Sequence, residues 1–377
     1  MNYNSTGHRP NAYNTQATHR QKRASSITGA LICAILFLSV ILIALVVISA
    51  RNKASTPELP ENPYVTDSSP TSDSLPSVTP PVDTVMTEAY DPAFIGPPAP
   101  ITEPDSVIVT VNNSEIHRGN LILINRNHPF VFPDEQPQTN LYQNKSPVYQ
   151  LSGIAITLNK ELFPIFDGMI LDFSKATGCK SVLVTSGYRS YEFQKDLYES
   201  RVKTQGEEKA SLYVALPGHS EHHAGLAIDM VIFADGRQYY FPEYEDAAWI
   251  IENAPEYGFF LRYTEKAQEI TGCAPEPWHY RYVGAPHARL ITDMDRCFEE
   301  YHDYLHTFVW EGERLLVAED GSTSTTDGFH LPGAGYMIYY VPAMEGDTTD
   351  IPVPPDCEYE ISGDNANGFI VTVKLGA

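Results

Sequence analysis

His219-Ser220-Glu221-His222-His223-Ala224-Gly225-Leu226-Ala227-Ile228-Asp229 runs from a histidine-rich turn into an apolar stretch. Three histidines and Asp229 fall within it, and Gly225 lets the chain bend between them. His222 and Asp229 read as two metal ligands joined by that bend. From Leu226 to Phe233 the residues alternate: Ala227, Asp229 and Val231 share one face, Ile228, Met230 and Ile232 the other, which is the period of a strand. A hydrolytic zinc wants three protein ligands and one open position for water. Glu276-Pro277-Trp278-His279, further along the chain, offers the third.

The sequence around this stretch mixes helices and strands. Leu162, Ile165, Phe166, Met169, Ile170 and Phe173 recur at helical spacing, so 158–177 is expected to be an amphipathic helix. Ser181–Thr185 reads as a strand. Ser186-Gly187-Tyr188-Arg189-Ser190 then turns into a helix over Tyr191–Lys203, with Ser190 as its cap. A short helix over Glu208–Val214 stops at Pro217-Gly218. Asp246–Asn253 reads as a helix, and Phe259–Tyr263 and Trp278–Val283 as strands. In the last of these, His279 and Arg281 share a face opposite Trp278, Tyr280 and Tyr282. Ala288, Ile291, Phe298, Tyr301 and Leu305 mark a closing helix. Upstream, Ser106–Val111 and Leu121–Asn125 look like strands joined through an Asn112-Asn113 turn. Several connections are too short for parallel crossovers, so the fold class expected is α+β with a mainly antiparallel sheet and flanking helices.

Charge and hydropathy divide the chain. The formal net charge is -23, yet all of the first 53 residues' charges are basic. Such an acidic body excludes nucleic-acid binding through phosphates, which needs clustered Lys and Arg. Residues 1–25 read as a polar, disordered cytoplasmic tail. Residues 26–50 contain no charged side chain and are long enough to span a bilayer as a helix. Arg20, Lys22 and Arg23 precede that run, so the positive-inside rule puts the N-terminus in the cytoplasm and the bulk outside the cell membrane. Many of the 29 prolines crowd into 51–105, an extended tether rather than a core. The folded region is then expected over 106–306, followed by a small β-rich appendage over 307–377. Cys179, Cys273, Cys297 and Cys357 show neither a metal spacing nor a disulfide framework.

His222, Asp229 and His279 form an N2O donor set that would lower the pKa of a bound water to about 7. Glu276, just before His279, is then placed to take the proton from that water and pass it to a leaving amine. Arg189, on a turn at a strand end, can stabilise an oxyanion or hold a carboxylate.

The pattern Ser220-x-His222-x-x-Gly225-x-Ala227-x-Asp229, followed by Glu276-Pro277-Trp278-His279, resembles the VanY-type D-alanyl-D-alanine carboxypeptidases. Ser186-Gly187-Tyr188-Arg189-Ser190 with Gln194, Asn253-Ala254 to Tyr257-Gly258-Phe259, Arg262-Tyr263, and Arg281-Tyr282-Val283-Gly284 fit the same family in order. The resemblance covers 106–306. It implies the hedgehog/D-Ala-D-Ala-peptidase fold and Zn2+ on His222, Asp229 and His279. Glu276 and Arg189 would be catalytic, and Ser186, Gln194, Ser220 and Trp278 would bind substrate. The substrate implied is a peptidoglycan stem peptide ending in D-Ala, reached from a single N-terminal membrane helix. His223-Ala224 stands where the family usually has Gln-Thr. The spacing to Asp229 and the place of Gly225 favour His222 over His219 and His223 as the ligand. Two other functions are compatible with the same residues: an L,D-carboxypeptidase acting on tetrapeptide stems, and a zinc-stabilised cell-wall binding module without turnover.

Overall fold

The computed structural model describes residues 106–326 and 335–375. The expected tail, membrane helix and tether (1–25, 26–50 and 51–105) lie outside the described residues. Among the described residues no helix is long and apolar enough to cross a membrane.

In chain order, β1 (Val107–Asn112), β2 (Gln138–Asn140), β3 (Gln150–Leu151) and β4 (Thr157–Asn159) lead to helix α1 (Leu162–Thr177). α1 buries Leu162, Phe166, Met169, Ile170 and Phe173, the stripe its spacing predicts. Then come β5 (Val182–Ser186), α2 (Tyr191–Gln205) and α3 (Glu207–Tyr213). The Ser190 hydroxyl accepts from the backbone N–H of Phe193, which caps α2 as expected. β6 (Ala227–Ala234) and β7 (Arg237–Tyr239) form a hairpin, followed by α4 (Ala248–Asn253), β8 (Phe259–Leu261) and β9 (His279–Tyr282).

The central sheet has the order β3-β5-β6-β9-β8, with β7 paired to β6. Only β3 and β5 run parallel; the other pairs are antiparallel. Ile228, Met230 and Ile232 of β6 and Tyr280 of β9 enter one apolar core with the buried stripe of α1. Alternation therefore turns Asp229, His279 and Arg281 to the opposite face. In the β6–β9 register Asp229 lies directly across from His279.

Leu121–Asn125 is not a strand, which corrects the expectation for that segment. Its alternation is real, since Leu121 and Leu123 enter one core while Ile122 and Ile124 enter another. Its polar backbone, however, is satisfied piecemeal. Ser362 Oγ accepts from the N–H of Leu121, and Arg281 Nη2 donates to the carbonyls of Asn120 and Ile122. The single closing helix is also corrected: α5 (His287–Asp293) and α6 (Phe298–Leu305) are separate, with Asp295 between them at φ 52°. Residues in that left-handed region end a helix.

The C-terminal region contains β10 (Arg314–Ala318), β11 (Thr323–Thr326), β12 (Gly335–Pro342), β13 (Thr348–Val353), β14 (Glu358–Gly363) and β15 (Gly368–Leu375). Five of these make a sheet in the order β11-β10-β12-β15-β14, while β13 pairs with β1. The sheet is buried on both faces. Ile338, Tyr340 and Ile370 pack with Leu121, Phe260, Ile291 and Phe298, whereas Met337, Tyr339, Phe369 and Val371 pack with Ile351 and Val353. The described parts of this region, 307–326 and 335–375, are thus no appendage to 106–306. They share a core with it, and strand β1 is held by β13.

Candidate active site

Three short elements bring the site together. A 3-10 turn, Glu221–Ala224, carries His222 and ends at Gly225, whose φ of 69° favours glycine. A Cβ at Gly225 would lie 3.0 Å from the backbone nitrogen of Asn159 and 3.1 Å from the Gln138 amide. Gly225→Ala is expected to cost about 1–2 kcal/mol for the left-handed backbone alone, seen as a lower midpoint in urea unfolding. β6 supplies Asp229, and β9 begins with His279.

The buried donors converge. His222 Nε2 lies 3.3 Å from Asp229 Oδ1, and His279 Nδ1 lies 3.2 Å from that same oxygen. The far side of each ring is tied. His222 Nδ1 donates to the carbonyl of Gly187 at 2.6 Å, and His279 Nε2 donates to Glu221 Oε2 at 3.1 Å. Those bonds turn a bare nitrogen of each ring toward Asp229. His222 Nε2 and Asp229 Oδ1 have no hydrogen-bond partner at all. Two buried acceptors facing each other at this distance repel unless a cation lies between them. Two imidazoles and one carboxylate with converging lone pairs suit zinc.

The electrostatics agree. Burial holds the His222 ring down at about 4, helped by the nearby Arg189 charge, so it is a neutral donor. Burial also opposes charge on His279, but the carboxylates of Asp229 and Glu221 on either side of the ring outweigh that and push it up to about 9. Burial opposes charge on Asp229, yet the positive charge around it, the Arg189 guanidinium above all, holds it well below the usual carboxylate range. The pocket favours positive charge beside Asp229.

Glu276 is 8% exposed, with Oε2 3.7 Å from His279 Nδ1. Burial pushes its carboxyl up to about 7. A group with that value can both accept and return a proton near neutral pH. Arg189 Nη2 pairs with Asp229 Oδ2 at 2.6 Å. A cavity of about 100 Å³ joins these groups, lined among others by Arg189, Ser220, Tyr263, Glu276 and Trp278.

Ser186 and Gln194 are placed differently from the expectation that they bind substrate. Ser186 Oγ accepts from Arg189 Nε at 2.8 Å, and the buried Gln194 offers Oε1 to Arg189 Nη1 at 3.4 Å while its amide donates to the Ala215 carbonyl. Neither lines the cavity; both hold Arg189. His219 and His223 also lie off the donor cluster. His223 bridges the carbonyl of Arg189 and the N–H of Gly218, and His219 bonds the Asn125 carbonyl. Glu221, unused in the sequence reading, is the buried partner of His279. Its only sequence signal is adjacency to His222. The four described cysteines are free.

Two other features compete for attention. His302, His306 and Asp364 form a second group of potential ligands. There His302 Nε2 bonds the Asp364 carbonyl, His306 Nε2 bonds Asp364 Oδ2, and Oδ1 accepts three backbone N–H groups, so the set is balanced without a cation. A larger cavity, about 380 Å³, is lined by Phe259, Ile270 and Ile291 and holds none of the converging donors. Volume alone does not mark the site.

Known proteins share this arrangement of sequence and fold. A family model described as VanY, D-alanyl-D-alanine carboxypeptidase, matches residues 155–285. A D-alanyl-D-alanine carboxypeptidase of Enterococcus faecium is 33% identical over 271 residues, covering 71% of this chain and 79% of that protein. A bifunctional D-Ala-D-Ala dipeptidase and D-Ala-D-Ala carboxypeptidase of Enterococcus gallinarum is 38% identical over 190 residues, 49% of this chain and 94% of the relative. Among solved structures, the vancomycin resistance D,D-dipeptidase VanXYg, in complex with a D-Ala-D-Ala phosphinate analogue, superposes with a TM-score of 0.59 at 31% identity. That match covers 72% of this chain and 100% of the other. With that family match and a relative 33% identical over 79% of its own length, the chain belongs to the VanY family of D-alanyl-D-alanine carboxypeptidases.

Proposed function

We propose that this protein is a zinc-dependent D,D-carboxypeptidase that removes the terminal D-alanine from peptidoglycan stem peptides. The observation that carries the reading is the pair of orphaned, buried acceptors, His222 Nε2 and Asp229 Oδ1, beside a carboxyl raised to about 7 at Glu276. His222, Asp229 and His279 would hold the zinc. When bound, zinc polarises a carbonyl and makes water acidic enough to react near neutral pH.

The remaining chemistry belongs to the chain. Glu276 takes the proton from the attacking water and delivers it to the amine of the departing D-alanine. Arg189, fixed by Ser186, Gln194 and Asp229, presents its remaining edge to the cavity, where it pairs with the substrate's terminal carboxylate or the developing oxyanion. Ser220 and Trp278 line the same cavity and flank the terminal residue. An adjoining cavity of about 230 Å³ shares Val214, Ala215, Tyr263 and Cys273 with it, giving the rest of the stem a path. The relative's binding of a D-Ala-D-Ala phosphinate analogue supports a substrate with that ending. The sequence supports a membrane-anchored enzyme working outside the cell on an extended tether.

Offering the zinc-loaded full chain a stem pentapeptide and the matching tetrapeptide side by side tests the specificity. Loss of one D-alanine from the pentapeptide, with the tetrapeptide left intact, is the expected outcome. Preferential cutting of the tetrapeptide would make the enzyme an L,D-carboxypeptidase instead.

A further inference from the structure

We propose that Glu221 is the positioning residue of the metal centre, fixing the His279 ring with Nδ1 turned toward Asp229 and tying it to a buried arginine pair. The inference rests on the reading that His222, Asp229 and His279 hold the metal.

Glu221 precedes a ligand in sequence, but its carboxylate serves a different ligand in space. Oε2 accepts from His279 Nε2 at 3.1 Å. Oε1 accepts from Arg262 Nε at 2.9 Å and from Arg281 Nη1 at 3.0 Å. These three are out of solvent: Glu221 is 1% exposed, Arg262 1% and Arg281 0%. Arg262 turns its other edge to Glu299 of α6, donating to both carboxylate oxygens at 2.9 and 2.7 Å. Two carboxylates and two guanidiniums thus make a neutral, closed cluster.

Buried ionic clusters are costly, and apolar replacements of similar volume are often more stable. A stability role therefore explains this one poorly, and the bond to His279 supplies what stability does not. A carboxylate that accepts the distal N–H of a ligand imidazole fixes its tautomer and ring angle and raises its basicity. Without it, His279 could present either nitrogen to Asp229. The 3-10 turn Glu221–Ala224 would then position two ligands at once, His222 directly and His279 through its neighbour. Arg281, on the same face of β9 as His279, holds Glu221 from the sheet. Arg262, just past β8, holds it from the other side and is itself anchored by Glu299 of α6.

The test compares two substitutions that each remove one carboxylate charge from the same cluster. Zinc affinity of the full chain is measured by competition with a chromophoric chelator, without reference to activity. Glu221→Gln is expected to weaken zinc binding roughly 10–100-fold, while Glu299→Gln, which does not touch His279, leaves it unchanged. Equal weakening by both, or none by Glu221→Gln, overturns the proposal. Should Glu221→Gln not fold, the unsubstituted zinc-loaded chain decides through 15N NMR of its imidazoles. A slowly exchanging Nε2–H on His279 is expected; an Nδ1–H there overturns the assignment. Failure of the unsubstituted chain to bind one zinc would instead overturn the ligand reading beneath it.

Discussion

Glu276→Ala is expected to lower kcat for D-alanine release by roughly 10²–10⁴-fold, with one zinc still bound per chain. The carboxyl lies near His279 and lines the cavity, yet it is not among the donors that converge on Asp229. Its removal therefore takes away a proton carrier and leaves the ligand set intact. Burial pushes it up to about 7, which matches a group that must collect a proton and give it back. Retained activity would mean that some other group moves the proton. Loss of zinc in step with activity would make Glu276 a ligand rather than a base. Measuring metal content and turnover on the same preparation separates these outcomes.

Asp229→Ala is expected to have a still wider effect. Asp229 Oδ1 is the point toward which both histidines turn, and Oδ2 pairs with Arg189 at 2.6 Å. One substitution therefore removes a proposed ligand and strands a guanidinium that is 16% exposed. Breaking a buried pair by deleting one partner costs on the order of 3–5 kcal/mol. Stoichiometric zinc and D-alanine release should both vanish, and the unfolding midpoint should fall. If zinc stays bound at full occupancy in Asp229→Ala, the donor set is wrong.

Much of this site was legible because its residues announce themselves locally. His222, Gly225 and Asp229 sit within one turn and one strand, and alternation alone places Asp229 opposite the core-facing Ile228 and Met230. The same rule turned His279 away from Tyr280. Glu221, Arg262 and Glu299 were not legible as a unit, because they come from a turn, a segment after β8 and a distant helix. Only the packed fold puts them within hydrogen-bond reach. Ser186 and Gln194 were expected to bind substrate; sequence could not say that they face Arg189 rather than the cavity.

The fold shows a similar division. α1 and the Ser190 cap follow from short-range rules, apolar spacing and a hydroxyl before the first turn. β13 escaped because Thr348–Val353 contains Pro352 and Asp350, which weaken any strand signal, and its partner β1 lies far away in sequence. Leu121–Asn125 had the alternation of a strand and the burial of one, yet its hydrogen bonds go largely to side chains. Periodicity reports which side is apolar, not what satisfies the backbone.

The most direct measurement is a titration of zinc into the metal-free full chain while D-alanine release from a stem pentapeptide ending in D-Ala-D-Ala is followed. Activity should be absent without metal, rise in proportion to added zinc, and level off at one equivalent. Release that needs no metal, or a chain that binds one zinc and frees no D-alanine, would contradict the account.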